Sequence, residues 1–557
     1  MHNKSIMQHA FSRVPKVKLP RSVFDRSHAW KGTFDADYLI PFYVDEALPG
    51  DTFNLRCSLL VRMNSPFVRA PLDNLYLDTF FFFVPNRLLW TNFKRFMGEQ
   101  DDPSSTIAYT VPTVTGPNVG AGGIPIGHLY DYMGLPVGAL SGGGATTGIT
   151  FANLHGRAYN QIWVQFFKDQ NLQNAVTQDL GDSADTFSNY NLLKRGKRHD
   201  YFTSCLPYTQ KGSTAVSLPL GTSATIYTSD SELVTGARSS GVRFRGKTAG
   251  AVPTATRAVG FDGGAGDINE STTVLTTSGQ PVYPSNLYAD LSTATSATLN
   301  SLRDSVALQH FLERDARGGT RYPELISSHF GVSNPDFRVQ RPELLSTSSQ
   351  RLNITPVAQT TPKPAAGTTT DQGFVAAFGT GQSFGPGFSK SFTEHGVLLG
   401  LCSVRADITY QQGMDRMWSR STRYDFFWPT FANIGERAVK NREIYANLAD
   451  GTGAAAKDGT FGYLPPYEEY RFKSSKIVGN LRSYNGASAN ANTLDVNHFS
   501  ESFSSQPTLG STFIQSSTPL DRTVAVPSAD HFVMDAYIDL KCARVMPVFG
   551  VPGLFKL

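Results

Sequence analysis

Three stretches of the chain alternate apolar and polar residues with a period of two. In residues 51–63, Phe53, Leu55, Cys57, Leu59, Val61 and Met63 fall on one side, and Thr52, Asn54, Arg56, Ser58 and Arg62 on the other, with Leu60 out of pattern. In residues 401–410, Cys402, Val404, Ala406, Ile408 and Tyr410 oppose Ser403, Arg405, Asp407 and Thr409. In residues 531–542, Phe532, Met534, Ala536, Ile538, Leu540 and Cys542 oppose His531, Asp535, Asp539 and Lys541. This alternation predicts strands with one face in a core and one in a wetter setting, the habit of antiparallel sheets. Cys57, Cys402 and Cys542 all fall on apolar faces and read as core filler. Strands so far apart in sequence need distant partners, which Greek-key and jelly-roll topologies supply through long connections.

A fourth stretch, "LDTFFFFVPNRLLW", breaks the pattern. Alternation places Leu77, Thr79, Phe81 and Phe83 on one side and Asp78, Phe80, Phe82 and Val84 on the other. Beyond Asp78 both sides are apolar, whereas a strand of a solitary sandwich keeps one face wet. The run is also too short for a membrane helix of about 20 residues. It predicts a strand with a barrel interior on one side and a second cover on the other, either inserted helices or a neighbouring subunit.

Helical periodicity appears inside the connections. "LHGRAYNQIWVQFFKD" sets Leu154, Ala158, Ile162 and Phe166 four apart, with Trp163 and Phe167 alongside. "SLRDSVALQHFLERD" pairs Ala307 with Phe311 and Leu308 with Leu312. Both predict packed helices. Residues 111–150 are rich in Gly, Pro and Thr. Residues 213–300 are dominated by Ser, Thr, Gly and Ala and carry no helical stripe. A segment with so little core of its own is expected on the surface, as an insertion projecting from the main body.

Composition sharpens this. Of the 557 residues 17% are charged, against about 25% in an average soluble chain, while 12% are aromatic. Either one large core or extensive subunit interfaces accounts for so little charge. The net charge is only +4, yet residues 1–31 hold Lys4, Arg13, Lys16, Lys18, Arg21, Arg26 and Lys31 against the single acid Asp25, a local balance of +6. This arm has no apolar signal region. It reads either as a nucleic-acid contact or as a solvated terminus. Lys194, Arg195, Lys197 and Arg198 form a second basic cluster that could meet phosphate. The four cysteines are scattered, so neither a zinc site nor a disulfide framework is expected, and synthesis in a reducing cytosol follows.

No motif supports catalysis. "GVRFRGKT", residues 241–248, fits the phosphate-loop pattern, but Pro253 forbids the helix that a working loop needs, and no buried strand precedes it. His199, Asp200, Ser204 and Cys205 lie close in sequence, which says little about a triad set by geometry, and a basic turn entering a strand is the expected structure. Glu468 and Glu469 invite a glycosidase reading that only their spatial separation could decide. No metal site and no cofactor are expected.

Six blocks, in order, carry a resemblance. They are residues 20–53, 73–100 ("DNLYLDTFFFFVPNRLLWTNFKRFMGEQ"), 197–212 ("KRHDYFTSCLPYTQKG"), 321–345, 394–420 ("EHGVLLGLCSVRADITYQQGMDRMWSR") and 425–439 ("DFFWPTFANIGERAV"). Together they resemble the major capsid proteins of microviruses, small tailless single-stranded DNA bacteriophages, and within them the gokushovirus branch. The resemblance implies a mainly β fold, an eight-stranded antiparallel jelly roll with long insertion loops that contain some helices. It implies a T=1 icosahedral shell around a single-stranded DNA genome, assembled in the bacterial host cytoplasm. The implied organisation is a basic, interior-facing arm at 1–31, a core at 32–212 and 301–557, and a threefold protrusion for host attachment at 213–300. The implied partners are further copies of the chain, the DNA, a small basic DNA-packaging protein, a minor or pilot virion protein and a bacterial surface receptor. By charge alone, the nucleic-acid candidates are Lys4, Arg13, Lys16, Lys18, Arg21, Arg26, Lys194, Arg195, Lys197 and Arg198. The competing class is a β-sandwich protein that binds or hydrolyses carbohydrate, which leaves the basic arm unexplained.

Overall fold

The computed structural model describes residues 20–117, 123–138, 148–212, 299–318, 322–331, 339–357, 377–407, 409–483 and 494–549, with the backbone of six short strands between 226 and 289. Two compact units divide the chain: Met1–Thr209 with Gly319–Leu557, and Gln210–Gly318.

Nine strands of the first unit form one antiparallel sheet: β1 (Ser22–Asp25), β2 (His28–Phe34), β3 (Ile40–Ala47), β4 (Thr52–Met63), β5 (Leu75–Pro85), β6 (Glu343–Pro356), β7 (Ala377–Ser391), β8 (Gly396–Ala406) and β9 (Phe532–Arg544). The strand order is β1-β9-β4-β7-β6-β5-β8-β3, and β2 also pairs with β9. β1 lies along Lys541–Arg544 and β2 along Phe532–Ile538, so the two are one interrupted strand occupying a single place. Nine strands thus fill eight places. One half, β2-β9-β4-β7, joins the other, β6-β5-β8-β3, only where Asn353–Pro356 pairs with Ala377–Thr380. Between the halves lies the principal core, where Phe53, Leu55, Cys57, Leu59 and Val61 of β4 meet Phe81 and Phe83 of β5, Leu398 and Cys402 of β8, and Met534, Ala536, Ile538, Leu540 and Cys542 of β9. This is the expected jelly roll.

The two halves differ on their outer faces. β4 and β9 alternate buried and open positions as their sequences predict. Every residue of β8 is buried except Arg405, and Ser403 is fully enclosed. The wet face expected for residues 401–410 is therefore absent, and the strand ends at Ala406. The reason is the predicted second cover. Helix α1 (Leu154–Ile162) runs on into a single π-turn, Trp163–Phe167, and packs on the outer side of β5 and β8. Phe82 meets Phe166 at 4.9 Å between ring centroids, and Phe80 meets Phe167 edge-on at 5.2 Å. Phe81 faces the barrel, edge-on to Phe42 at 5.6 Å. A buried network fixes the cover: Arg157 donates to Asp185 at 2.9 and 2.7 Å, and Asn153 and Tyr190 donate to the same carboxylate at 2.6 and 2.9 Å.

The second unit contains a four-stranded antiparallel sheet, a two-stranded one, and helix α2 (Leu299–Arg317). The predicted helix at 301–315 forms, with Leu308 and Phe311 of its stripe each about half exposed. Val242–Gly246, inside the formal phosphate-loop match, is a strand paired antiparallel on both sides, not a loop entering a helix. Most of 213–300 lies outside the described residues.

At the start of β9, His531 holds Nδ1 2.9 Å from Asp35 and Nε2 3.0 Å from Asp521. Burial disfavours the imidazolium, but the hydrogen bonds and charges of the two carboxylates outweigh it, so the pKa rises above the ordinary 6.5. Such a group contributes stability that is complete below 6.5 and is lost as pH rises through the folded value. Thermal melting should therefore show stability falling above pH 6.5, and His531→Gln should flatten that part of the profile. An unchanged slope in the variant would contradict the pairing.

Candidate nucleic-acid and assembly surfaces

The predicted basic cluster forms no open patch. The chain at 194–197 runs beside the outer face of β5 and β8, and Gly196 bridges to Gln515. Arg195 donates to Asp78 of β5, and Arg405 of β8 reaches the same carboxylate at 3.2 Å. The Arg195 guanidinium also lies over the Phe80 ring at 4.8 Å. Burial alone would raise the Asp78 pKa, but the two guanidiniums and hydrogen bonds hold it below the usual carboxylate range. Burial depresses both arginines, helped by the charge of Arg198 at Arg195 and by that of Arg195 at Arg405, which falls to about 10. Lys197 is enclosed, 2.6 Å from Glu501 and 4.2 Å above the Phe513 ring. Arg195 and Lys197 are thus internal ties, their charges engaged below the surface. Lys194 and Arg198 are half-buried over the rings of Tyr38 and Tyr76, and Arg198 also pairs with Asp407 at 3.0 Å.

Of the arm candidates, Arg21 is exposed and donates to the Gly50 carbonyl, and Arg26 pairs with Asp45 at 2.6 Å. Lys4, Arg13, Lys16 and Lys18 lie outside the described residues. His199 is exposed, whereas Cys205 is buried in a satellite core with Phe202, Phe461 and Phe513, so no triad forms. All four cysteines are buried and free, and burial pushes the Cys57 thiol up to about 12, which suits filler and not a nucleophile. Glu443 and Glu469 line a pocket of about 130 Å³ with Tyr201, Arg416, Arg420 and Phe472. Arg416 lies 3.2 Å from Glu443, and Arg420 lies 3.6 Å from Glu469. Glu468 pairs with Arg471. The carboxylates that suggested glycan hydrolysis are held by arginines.

A surface that sequence reasoning passed over lies beside this pocket. Between residues 416 and 434 the chain makes three short 3-10 turns, Arg416–Ser419, Arg423–Asp425 and Pro429–Phe431. They leave Trp418 70%, Ile434 67%, Tyr424 54%, Phe426 53% and Trp428 49% exposed. These side chains sit on a polar frame. Asp425 accepts hydrogen bonds from Ser421 N, Thr422 N and the Thr422 hydroxyl at 2.8–3.1 Å, which hold its carboxyl down at about 2. Trp428 Nε1 donates to the Arg423 carbonyl at 2.9 Å, and Arg420 stacks over Phe426 and Tyr470. Exposed aromatics in this density suit a protein–protein contact. The signal was present in "DFFWPTF", which is apolar yet has neither period.

Residues 12–554 match the family described as "Capsid protein (F protein)". The chain is 42% identical to capsid protein VP1 of Bdellovibrio phage phiMH2K, covering 98% of each chain. It is 39% identical to capsid protein VP1 of Chlamydia phage 1, covering 99% of each. It is 33% identical to capsid protein VP1 of Spiroplasma virus 4, covering 99% of this chain and 98% of that one. The chain, a jelly roll matched end to end by capsid proteins that are structural and not enzymes, belongs to the F-protein family of microvirus capsid proteins, a building block of the phage virion.

Proposed function

We propose that copies of the chain close into a T=1 icosahedral shell around a single-stranded DNA genome, and that its 213–300 insertion contacts the host cell. The observation that carries the assembly reading is the exposed aromatic surface at 417–434. So much ordered apolar area is costly in water, and a neighbouring copy of the chain removes that cost. A closed shell needs several heterologous contacts per subunit that return on themselves, and this surface is suited to be one. The genome reading rests on the basic arm and on the phage family; a small basic packaging protein and a pilot protein would share the interior.

The attachment reading rests on the family resemblance, and composition supports a surface insertion at 213–300. Residues 213–300 supply few large apolar side chains and fall within a unit of the chain with its own short sheets. Deleting 213–300 should leave particle yield within about twofold of wild type while attachment to host cells falls at least tenfold. Sedimentation and cell-binding counts read the two effects separately. Loss of soluble subunit and particles together would contradict a projecting role for this segment.

A further inference from the structure

The two halves of the barrel are not treated alike. The outer face of β5-β8-β3 lies under the helical cover, whereas among the described residues the outer face of β2-β9-β4-β7 carries no such cover. On that bare face, Tyr537 is 54% and Phe384 75% exposed. Register places them in one row: Tyr537 is opposite Ser58, and Ser58 is opposite Phe384. With strands about 4.8 Å apart, the two rings stand roughly 10 Å apart, with the small Ser58 as a gap between them. Leu60, 41% exposed, lies one step along β4. Arg62 flanks the row, and its cross-strand neighbours are the uncharged Val533 and Thr380. Arg56 flanks it on the other side, opposite Asp539 and Gly387. Both arginines are exposed, and neither enters an ion pair among the described residues.

We infer that this bare face is the surface of the subunit that lies against single-stranded DNA, with Tyr537 and Phe384 as base platforms and Arg62 and Arg56 as phosphate partners. The inference rests on the genome-enclosing reading above and gives that reading a place in the fold. Exposed aromatics on an open sheet accept any base, because every base has a π-face, and nearby cations track the backbone. The face alone is close to neutral: Lys31, Arg56, Arg62 and Lys541 stand against Asp25, Asp535 and Asp539. The surplus positive charge arrives with the chain itself. Residues 1–19 hold four basic side chains and no acid, and they lead into β1, which lies beside the end of β9 on this same half. A neutral platform fed by a basic arm suits a polymer bound without sequence preference. Arg195 and Lys197 are, by contrast, engaged internally.

The test uses the full-length chain and a fluorescein-labelled 20-mer of thymidylate. Binding is followed by anisotropy over a salt titration. The wild type should bind with strong salt dependence. Tyr537→Ser with Phe384→Ser should weaken binding on the order of tenfold or more. Arg56→Gln with Arg62→Gln should reduce the slope of log K against log salt by about 1.4, or 0.7 for each lost charge. The substituted side chains are exposed, so melting temperatures should stay at the wild-type value. A wild type that ignores the oligonucleotide, or variants that bind as it does, overturns the inference. Loss of particles with unchanged oligonucleotide affinity also overturns it and makes the face a contact between copies. DNA content of wild-type particles separates the two readings: DNA-filled particles whose subunits fail the oligonucleotide test refute only the face, whereas particles empty of single-stranded DNA refute the enclosure.

Discussion

Replacing Asp78 by alanine should cost the subunit about 3–5 kcal/mol, because it strands two arginines that have little other anionic support. Arg195 and Arg405 are 15% and 11% exposed, and Asp78 is 5% exposed. Removing the carboxylate leaves two like charges side by side in a poorly solvated space. Arg405 keeps only the Gly196 carbonyl at 3.2 Å, and Arg195 the faces of Phe80 and Phe167. A domain of ordinary stability, about 5–15 kcal/mol, loses a large part of its margin. Urea unfolding of the soluble subunit reads the change directly. The same carboxylate makes the subunit acid-sensitive. Its depressed pKa contributes stability above the ordinary carboxylate value of 3.8 that is lost as pH falls through the folded value. Asp78→Ala together with Arg195→Met and Arg405→Met should recover much of the loss, since apolar replacements of buried ion pairs are often neutral or better. A loss under 1 kcal/mol in the single variant would show that water reaches the two arginines freely.

The largest effect on assembly is expected at the aromatic surface. Trp418→Ser with Ile434→Ser removes its two most exposed apolar side chains. In the isolated subunit each change should shift stability by no more than about 0.5 kcal/mol. In the shell, each lost anchor at the centre of a contact costs about 2 kcal/mol or more, repeated at every copy of the interface. The expected outcome is a folded, soluble subunit that forms no particles, seen by sedimentation and unchanged circular dichroism. Particles at wild-type yield would remove this surface from the assembly contacts.

What the sequence made legible follows from where water sits. β4 and β9 each keep one wet face, so their alternation could be read residue by residue, including the odd Leu60. β8 could not, because Ser403 and Arg405 look like a solvent face yet lie beneath the cover, where Arg405 meets Asp78. The phenylalanine run was legible for the opposite reason: an apolar run on both sides of a strand demands two coverings, and α1 with its π-turn is the second. The ion pairs of the charged candidates were not legible, because their partners are remote. Arg195 finds Asp78 across 117 positions and Lys197 finds Glu501 across 304, separations that no local pattern encodes. The exposed aromatics at 418–434 escaped because they lie on short turns and so show no period.

The aromatic surface at 417–434 should be covered by a further copy of the same chain. Electron microscopy of the purified full-length protein under assembly conditions, and of particles from infected cells, tests it most directly. The account predicts uniform isometric particles whose averaged images show icosahedral symmetry with one copy of the chain per asymmetric unit. A monomer with affinity for glycans and no particles under any assembly condition would contradict it.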